Sequence, residues 1–456
     1  MAGQALDMNG LVAVLAFIVT LGILVTVHEY GHYWVAKRCG IKVLTFSIGF
    51  GKAIYRWQRG ETIWQLGSIP LGGYVRMLDE REGSVPAADL DRAFNRQHPL
   101  KKMAVVVAGP AANLILALLF YWVLFMAGVT TLTPEIADVT ANSPASHVGI
   151  HRGDRVTRIA DTPVRTYDDI QSGMLDAASK GVPFDIYVLR NDQSVTVHID
   201  PVATGISNVD ADTLDRFGIS PARILPVVSQ VEPGSAAAVA GLKAGDQLLT
   251  LDNIPLSSWS QLPARLIKDP ASPVHLTLRR NGEVQSMVIQ PRLITEKGKQ
   301  IGRLGVVGTR DDAAWARQIT QLRYGPIEAF GEAVNQAWNT IRLNGVLFGR
   351  MITGHVSASQ VGGPLTIAKM AGQSAQAGLE PFIDTLAVIS LSLAILNLLP
   401  VPLLDGGHLM YHAAELLTGR PVSATVEAVG MRLGLLFLAG LMALALYNDF
   451  YRLITG

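Results

Sequence analysis

Apolar positions along this chain come in two patterns. Four stretches are almost free of charge. Met8 to Val27 is 20 uncharged residues, Met103 to Val129 is 27, and Thr385 to Leu404 is 20. A fourth, Leu433 to Tyr447, is shorter and extends back through Arg432 towards Val426. About 20 apolar residues rising 1.5 Å each cross a hydrocarbon layer of about 30 Å. The pattern therefore predicts four transmembrane helices, over 8–36, 103–129, 382–404 and 426–449. Arg432 reaches the headgroups by extending its side chain. Between the second and third, short runs such as Phe184–Leu189 and Val274–Leu278 read as strands. Asp168–Ala178 and Trp259–Ile267 read as short helices.

Composition agrees with this division. Only 16% of the 456 residues are charged, against about 25% in an ordinary soluble domain. A wholly soluble or disordered chain is excluded on those grounds. The formal net charge of +1 gives no basic excess that would point to nucleic acid. Cys39 is the single cysteine, so no intramolecular disulfide is possible, and it is expected to be a buried thiol.

Basic residues set the expected orientation. Residues 1–27 contain no Lys or Arg, whereas Tyr33–Lys102 contains 12. The 37–102 loop is therefore expected in the cytoplasm, with both termini and residues 130–381 outside. The first span lacks both the basic start and the small-residue cleavage site of a signal peptide, so it is read as retained.

The external region repeats itself. Ser143–Asp154 matches Ser235–Asp246 at an offset of 92, and after a small slip Arg190-Asn191 matches Arg280-Asn281. Ninety residues is a domain-sized unit. The small residue, Gly, Ile/Leu, Gly-Asp stretch and the following strand resemble tandem PDZ domains, here over 130–220 and 221–310. That resemblance implies carboxylate-binding loops at Gly218-Ile219 and Gly305-Val306. Backbone N–H groups there would turn towards a peptide carboxylate. Residues 325–380 carry Phe330, Val334, Trp338, Ile341 and Leu347 near helical spacing, broken at Gly362-Gly363-Pro364. They read as amphipathic helices that serve either as a substrate gate or as a connector.

The candidate chemistry lies at the end of the first span. His28-Glu29-Tyr30-Gly31-His32 is an H-E-x-x-H. Two imidazoles four residues apart share one helical face and can converge on a zinc ion, with the glutamate placed to act on water. Chance placement of 10 His and 13 Glu in 456 residues produces this motif roughly 0.006 times per chain. Ionisable groups continuing a membrane helix are functional candidates by default. A catalytic zinc needs a third protein ligand. Asp405 and His408, in the stretch Asn397–His408 that ends the third span, are equal candidates on residue chemistry alone. The remaining histidines, His98, His147, His151, His198, His275, His355 and His412, lack metal spacing and read as surface or structural.

H-E-x-x-H in a first span and N-x-x-P-x-P-x-L-D-G in a later one resemble the site-2 protease family of intramembrane zinc metalloproteases. Gly109-Pro110-Ala111-Ala112-Asn113 matches that family's G-P-x-x-N, and Pro70–Met77 its cytoplasmic loop. The resemblance implies one Zn²⁺ held by His28, His32 and Asp405, with Glu29 as catalytic base. It also implies a membrane-associated β-hairpin after the first span. Ala53–Trp57 and Thr62–Leu66 around Arg59-Gly60 suit such a hairpin, with Trp57 and Trp64 at headgroup level. Gly72 and Gly73 would allow close backbone approach. Asn397 is read as a hydrogen-bonding group for substrate, with Pro400 and Pro402 breaking the helix there. Asn113 serves either substrate or a helix–helix bond.

The expected fold is thus a multi-pass α-helical inner-membrane protein with a hairpin and two external PDZ-like domains. The resemblance implies cleavage of single-span membrane proteins, such as an anti-sigma factor in envelope stress signalling or remnant signal peptides. The alternatives are a membrane-anchored peptidase for soluble chains, for which the 37–102 loop is thin, and a metal carrier or PDZ scaffold. A carrier would need further ligands, and the cores of the second and fourth spans supply no His, Asp or Glu.

Overall fold

A computed structural model of the chain describes residues 2–207, 213–256, 258–296, 299–352 and 362–455. His355 lies outside them. The chain divides into two compact units, Met1–Val129 with Arg323–Gly456, and Thr130–Leu322.

In the first unit, four helices are long and apolar enough to cross a membrane: Gly10–Arg38, Pro99–Ala127, Leu379–Asn397 and Ala424–Tyr451. The second begins four residues before its apolar run, because Pro99 suits a first helical turn and the His98 side chain accepts from the Leu100 N–H. The third stops at Asn397, short of the apolar run's end at Leu404. Pro400 and Pro402 lack the N–H that would continue it. After the bend a further helix, Asp405–Thr418, begins, which the hydrophobic pattern does not announce. Cys39 is half-buried rather than buried, since it follows the last turn of the first helix.

Helices Pro326–Ile352 and Pro364–Ala377 fill the segment before the third span. The large periodic residues of the first of these face outward: Phe330, Val334 and Trp338 are exposed. Ala333 and Ala337 instead pack against Ala117, Tyr121 and Leu124 of the second span and Ala387 and Leu391 of the third. Small side chains allow that close approach, as in membrane helix packing generally. Asp449, in the last helix, accepts from the backbone N–H of Gly363, Leu365 and Thr366 at 3.0, 3.0 and 3.2 Å. It thereby satisfies the exposed N-terminus of helix Pro364–Ala377.

The loop after the first span folds as more than a two-stranded hairpin. Strands Val43–Arg59 and Thr62–Met77 are long and curl. Residues 45–48 pair on one flank with residues 63–66 in the same direction, and on the other with residues 76 to 73 in the opposite direction. Residues 53–59 pair with 67 to 62. The result is a four-segment sheet with Gly73–Met77 along one side. Trp64 stacks into an aromatic cluster with Phe46 and Tyr33, ring centres 4.4 and 5.1 Å away, which docks the sheet on the first span. Trp57 remains partly exposed.

The second unit builds the repeat twice. In its first half, Arg155–Ile159 pairs with Thr162–Pro163 and Phe184–Arg190, which pairs with Gln193–Ile199. In its second half, Gln247–Leu251 pairs with Ile254–Pro255 and Val274–Arg280, which pairs with Glu283–Ile289. A late strand returns to the first in each: Ile219 pairs with Val139, and Val306 with Val231. Two-residue turns Asn191-Asp192 and Asn281-Gly282 take positive φ throughout, as tight hairpins require.

Each half carries one buried ion pair that also holds a turn. Arg190 donates to both carboxylate oxygens of Asp154 at 2.7 Å and to the Gly149 carbonyl. Arg280 does the same for Asp246 and Gly241. Asp154 and Asp246 have almost no exposure. Removing one partner of such a pair strands a buried charge, at a cost of about 3–5 kcal/mol. Arg280→Met is therefore expected to lower protection of the Val274–Arg280 amides by about 3 kcal/mol in hydrogen exchange on the full chain. Unchanged protection there would show that the pair is not what holds the turn.

Candidate metal centre

The first span delivers its histidines to the second. At Gly31 an added Cβ would lie 2.3 Å from the Ala108 carbonyl oxygen, and at Gly109 it would lie 2.2 Å from His32 Nε2 and 2.8 Å from His28 Nε2. The two helices meet backbone to backbone at Gly31, and both imidazoles pack over Gly109. Both histidines are buried, and their Nε2 atoms face each other 3.2 Å apart. His32 Nδ1 is 2.7 Å from the Val105 carbonyl, which fixes the proton there and leaves the Nε2 lone pair free. His28 Nδ1 lies 3.3 Å from the Asn113 amide.

Asp405 closes the group from below. Its Oδ2 is 3.2 Å from His28 Nε2 and 3.5 Å from His32 Nε2. Asp405 is the first residue of helix Asp405–Thr418, where a carboxylate is favoured by the helix dipole. The preceding bend is packed directly on the two glycines that follow. A Cβ on Gly406 would sit 2.2 Å from the Leu399 carbonyl oxygen, and one on Gly407 2.3 Å from that of Val401. Burial opposes ionisation of Asp405, but the His28 and His32 rings beside it outweigh that and hold the carboxyl well below the usual range. His408 does not join the ligand atoms. It stands with Tyr411 in the wall of the adjoining cavity.

These residues fit a metal ion. The carboxylate Oδ2 of Asp405 is buried with no hydrogen-bond donor among the described residues. Adjacent ligands of a tetrahedral zinc, each about 2.0–2.2 Å from the ion, lie about 3.3–3.6 Å apart. The three spacings found here, 3.2, 3.2 and 3.5 Å, are of that size. Two imidazole nitrogens and one carboxylate leave the fourth position open, as hydrolytic zinc sites do.

The centre opens into a cavity of about 490 Å³. Glu29 and residues Gly73–Met77 form one wall, Tyr411 and Met431 another. Gly73 presses on Glu29: a Cβ there would lie 2.9 Å from the glutamate Cγ. The rim is charged. Arg81 bonds Asp79 at 2.8 Å and reaches Glu427 at 3.3 Å, and Arg76 bonds Glu82 at 2.9 Å. Gly72, Asn397, Pro400 and Pro402 do not line this cavity. Gly72 instead makes room for the Phe50 ring, at φ +134°. Gly218 and Gly305 lie in the second unit, each against the serine that caps the next short helix, Ser143 and Ser235.

One supporting group is not legible as a motif. Lys102, almost fully buried, donates to both oxygens of Glu415 at 2.8 and 3.0 Å. This pair ties the start of the second span to the helix that begins at Asp405. His412 lies beside it, and burial, with Lys102 nearby, pushes its imidazole down to about 4 against the pull of Glu415. The only sequence signal was a lysine at the edge of an apolar run.

Two histidines and a carboxylate converging beside a glutamate, on helices fit to cross a membrane, define a membrane-embedded metallohydrolase. The chain belongs to peptidase family M50, whose family model matches residues 16–441, and is thus an intramembrane metalloprotease of the site-2 type. It is 40% identical over 447 residues to a Neisseria meningitidis protein that carries a zinc metalloprotease name, covering 96% of this chain and 99% of that one. It is 37% identical over 448 residues to the regulator of sigma-E protease of Escherichia coli K12, covering 96% and 98%. A protease of the same kind from Yersinia pestis is likewise 37% identical over 448 residues.

The closeness at Gly109 makes a sharp prediction. A methyl group there displaces both rings, and a misplacement of about 1 Å at a reacting centre costs on the order of 100-fold in rate. Gly109→Ala is expected to lose cleavage by about that factor, and to bind metal more weakly, while the helices still assemble. Parent-level metal content and turnover in this variant would contradict the packing described here.

Proposed function

We propose that the chain hydrolyses peptide bonds within or beside the membrane-spanning segments of single-span membrane proteins, using one zinc ion held by His28, His32 and Asp405. The observation that carries this reading is the convergence of three donor atoms at tetrahedral spacing beside Glu29, at the end of an apolar helix. Zinc, when bound, supplies a Lewis acid for the scissile carbonyl and acidifies water at neutral pH.

The chain's own residues do the rest. Glu29 takes the proton from the attacking water and later passes it to the leaving amine. Its position against Gly73 keeps it facing the cavity. His32 is held by Val105 and Asp405 by the bend packed on Gly406 and Gly407, so the donor set is organised before substrate arrives. A helical substrate must unwind to expose its carbonyls. The segment Gly73–Met77, along one side of its sheet and in the cavity wall, suits an extended chain added as a further strand. Asn397, with the backbone freed by Pro400 and Pro402, is assigned to substrate backbone on the approach to the centre.

We read the active centre as lying near the cytoplasmic side, with both termini and residues 130–381 in the periplasm. The two repeats are read as PDZ domains that restrict access to substrates already trimmed outside. The loops at Gly218-Ile219 and Gly305-Val306 would receive a terminal carboxylate. An anti-sigma factor of an envelope stress pathway is a fitting substrate, given the likeness to a regulator of sigma-E protease, and remnant signal peptides are a second.

The test uses purified full-length protein and a model single-span substrate in detergent. Glu29→Gln is expected to reduce cleavage by at least about 10²–10⁴-fold with zinc still bound. Asp405→Ala is expected to lose zinc and His408→Ala to keep it. Undiminished cleavage by Glu29→Gln, or a chelator without effect, would remove the mechanism. Deleting residues 131–310 is expected to admit substrates with larger external domains; an unchanged size limit would refute the filter.

A further inference from the structure

Resting on the metal reading above, we infer that Asn113 is a positioning residue for the metal centre: its side-chain amide accepts the proton on His28 Nδ1 and thereby presents Nε2 to the ion.

An imidazole can offer a metal only the nitrogen that carries no proton. His28 and His32 face each other and Asp405 through Nε2. Each therefore needs its proton on Nδ1, and each Nδ1–H needs an acceptor. Metal-bound histidines generally give that N–H to a carboxylate, a carbonyl or water. His32 has the Val105 carbonyl at 2.7 Å. At His28 the group in place is the Asn113 amide, whose Nδ2 lies 3.3 Å from Nδ1, an orientation in which two nitrogens face each other.

Asn113 is completely buried, within the uncharged run Met103–Ala127 of its helix. An amide there is costly unless it is used. Its Oδ1 has no hydrogen-bond partner among the described residues, so the ring is what sets the amide's orientation. The two ends of an asparagine amide have nearly the same shape. A half-turn about Cβ–Cγ places Oδ1 against Nδ1–H. The support is firm, because the Asn113 backbone carbonyl also accepts from Ser390 Oγ of the third span at 2.8 Å.

Val105, Gly109 and Asn113 are spaced four apart, one above the other on one face of the second span. Val105 supplies the acceptor for His32, Gly109 the room for both rings, and Asn113 the acceptor for His28. The G-P-x-x-N stretch then has a physical content: it is the socket for the histidines of the first span.

The test measures zinc affinity of the full-length protein in detergent, by competition with a chelator, alongside the thermal midpoint of the metal-free form. Asn113→Leu keeps the branched shape and removes the acceptor; Asn113→Asp keeps an acceptor. Asn113→Leu is expected to weaken zinc binding about 10–100-fold with little change in the metal-free midpoint, and Asn113→Asp to stay near the parent. Should Asn113→Leu fail to fold, Asn113→Ala carries the same expectation. Parent-like affinity in the leucine or alanine variant overturns the inference, as does an equal loss in the aspartate variant, which would mark a packing role. Failure of the metal reading itself looks different: the parent protein would then bind no zinc at this centre.

Discussion

The first and second spans touch backbone to backbone at Gly31 and Ala108, and the two imidazoles lie over Gly109. Any side chain larger than hydrogen at Gly31 or Gly109 would separate the helices or displace the rings. Ionisable groups are expensive at the end of a membrane helix. They are tolerated here because the neighbouring helix is close enough to solvate them with its own polar atoms: a carbonyl from Val105 and an amide from Asn113. Close approach and polar satisfaction are one constraint, and the metal centre exists only where both are met.

The same logic extends outward. Asp405 must arrive from a different helix, and it does so on a bend rather than on a regular turn. Residues 398–404 expose backbone groups that lipid could not satisfy. They are instead folded onto Gly406 and Gly407, beside Pro402 and Leu403 contacts at Gly434 of the last helix. Lys102 and Glu415 then brace the new helix against the second span. A buried pair of this kind adds little net stability, but removing either partner is costly, so it specifies one arrangement.

Much of this could be read from the residues. The four apolar runs, the 92-residue offset and the H-E-x-x-H spacing follow from periodicities that a helix or a strand imposes locally. Three kinds of feature could not. The choice between Asp405 and His408 depends on how the chain bends after Asn397, and two prolines say that it bends but not where it leads. The exposed stripe at Phe330, Val334 and Trp338 inverts the usual rule that large apolar residues face inward; the helix packs through Ala333 and Ala337, whose small side chains allow close approach to the second and third spans. The pairing of residues 45–48 on both flanks arises from long strands curling on themselves, which alternation along a single strand does not encode.

The sheet after the first span also sets the surroundings of Glu29, the proposed base, in so apolar a setting. Tyr33, Phe46 and Trp64 anchor the sheet on the same helix that carries Glu29. That anchoring brings Gly73 against the glutamate, and with it an edge of backbone along the cavity. The charged rim formed by Arg76, Asp79, Arg81 and Glu82 follows directly in the chain, so water has a polar route to the centre. A proton acceptor, a strand edge and a wet rim are thus placed by one docking event. A change in the aromatic cluster would therefore move all three together, and the glycines at positions 72 and 73 are the points where the sheet has room to make that fit.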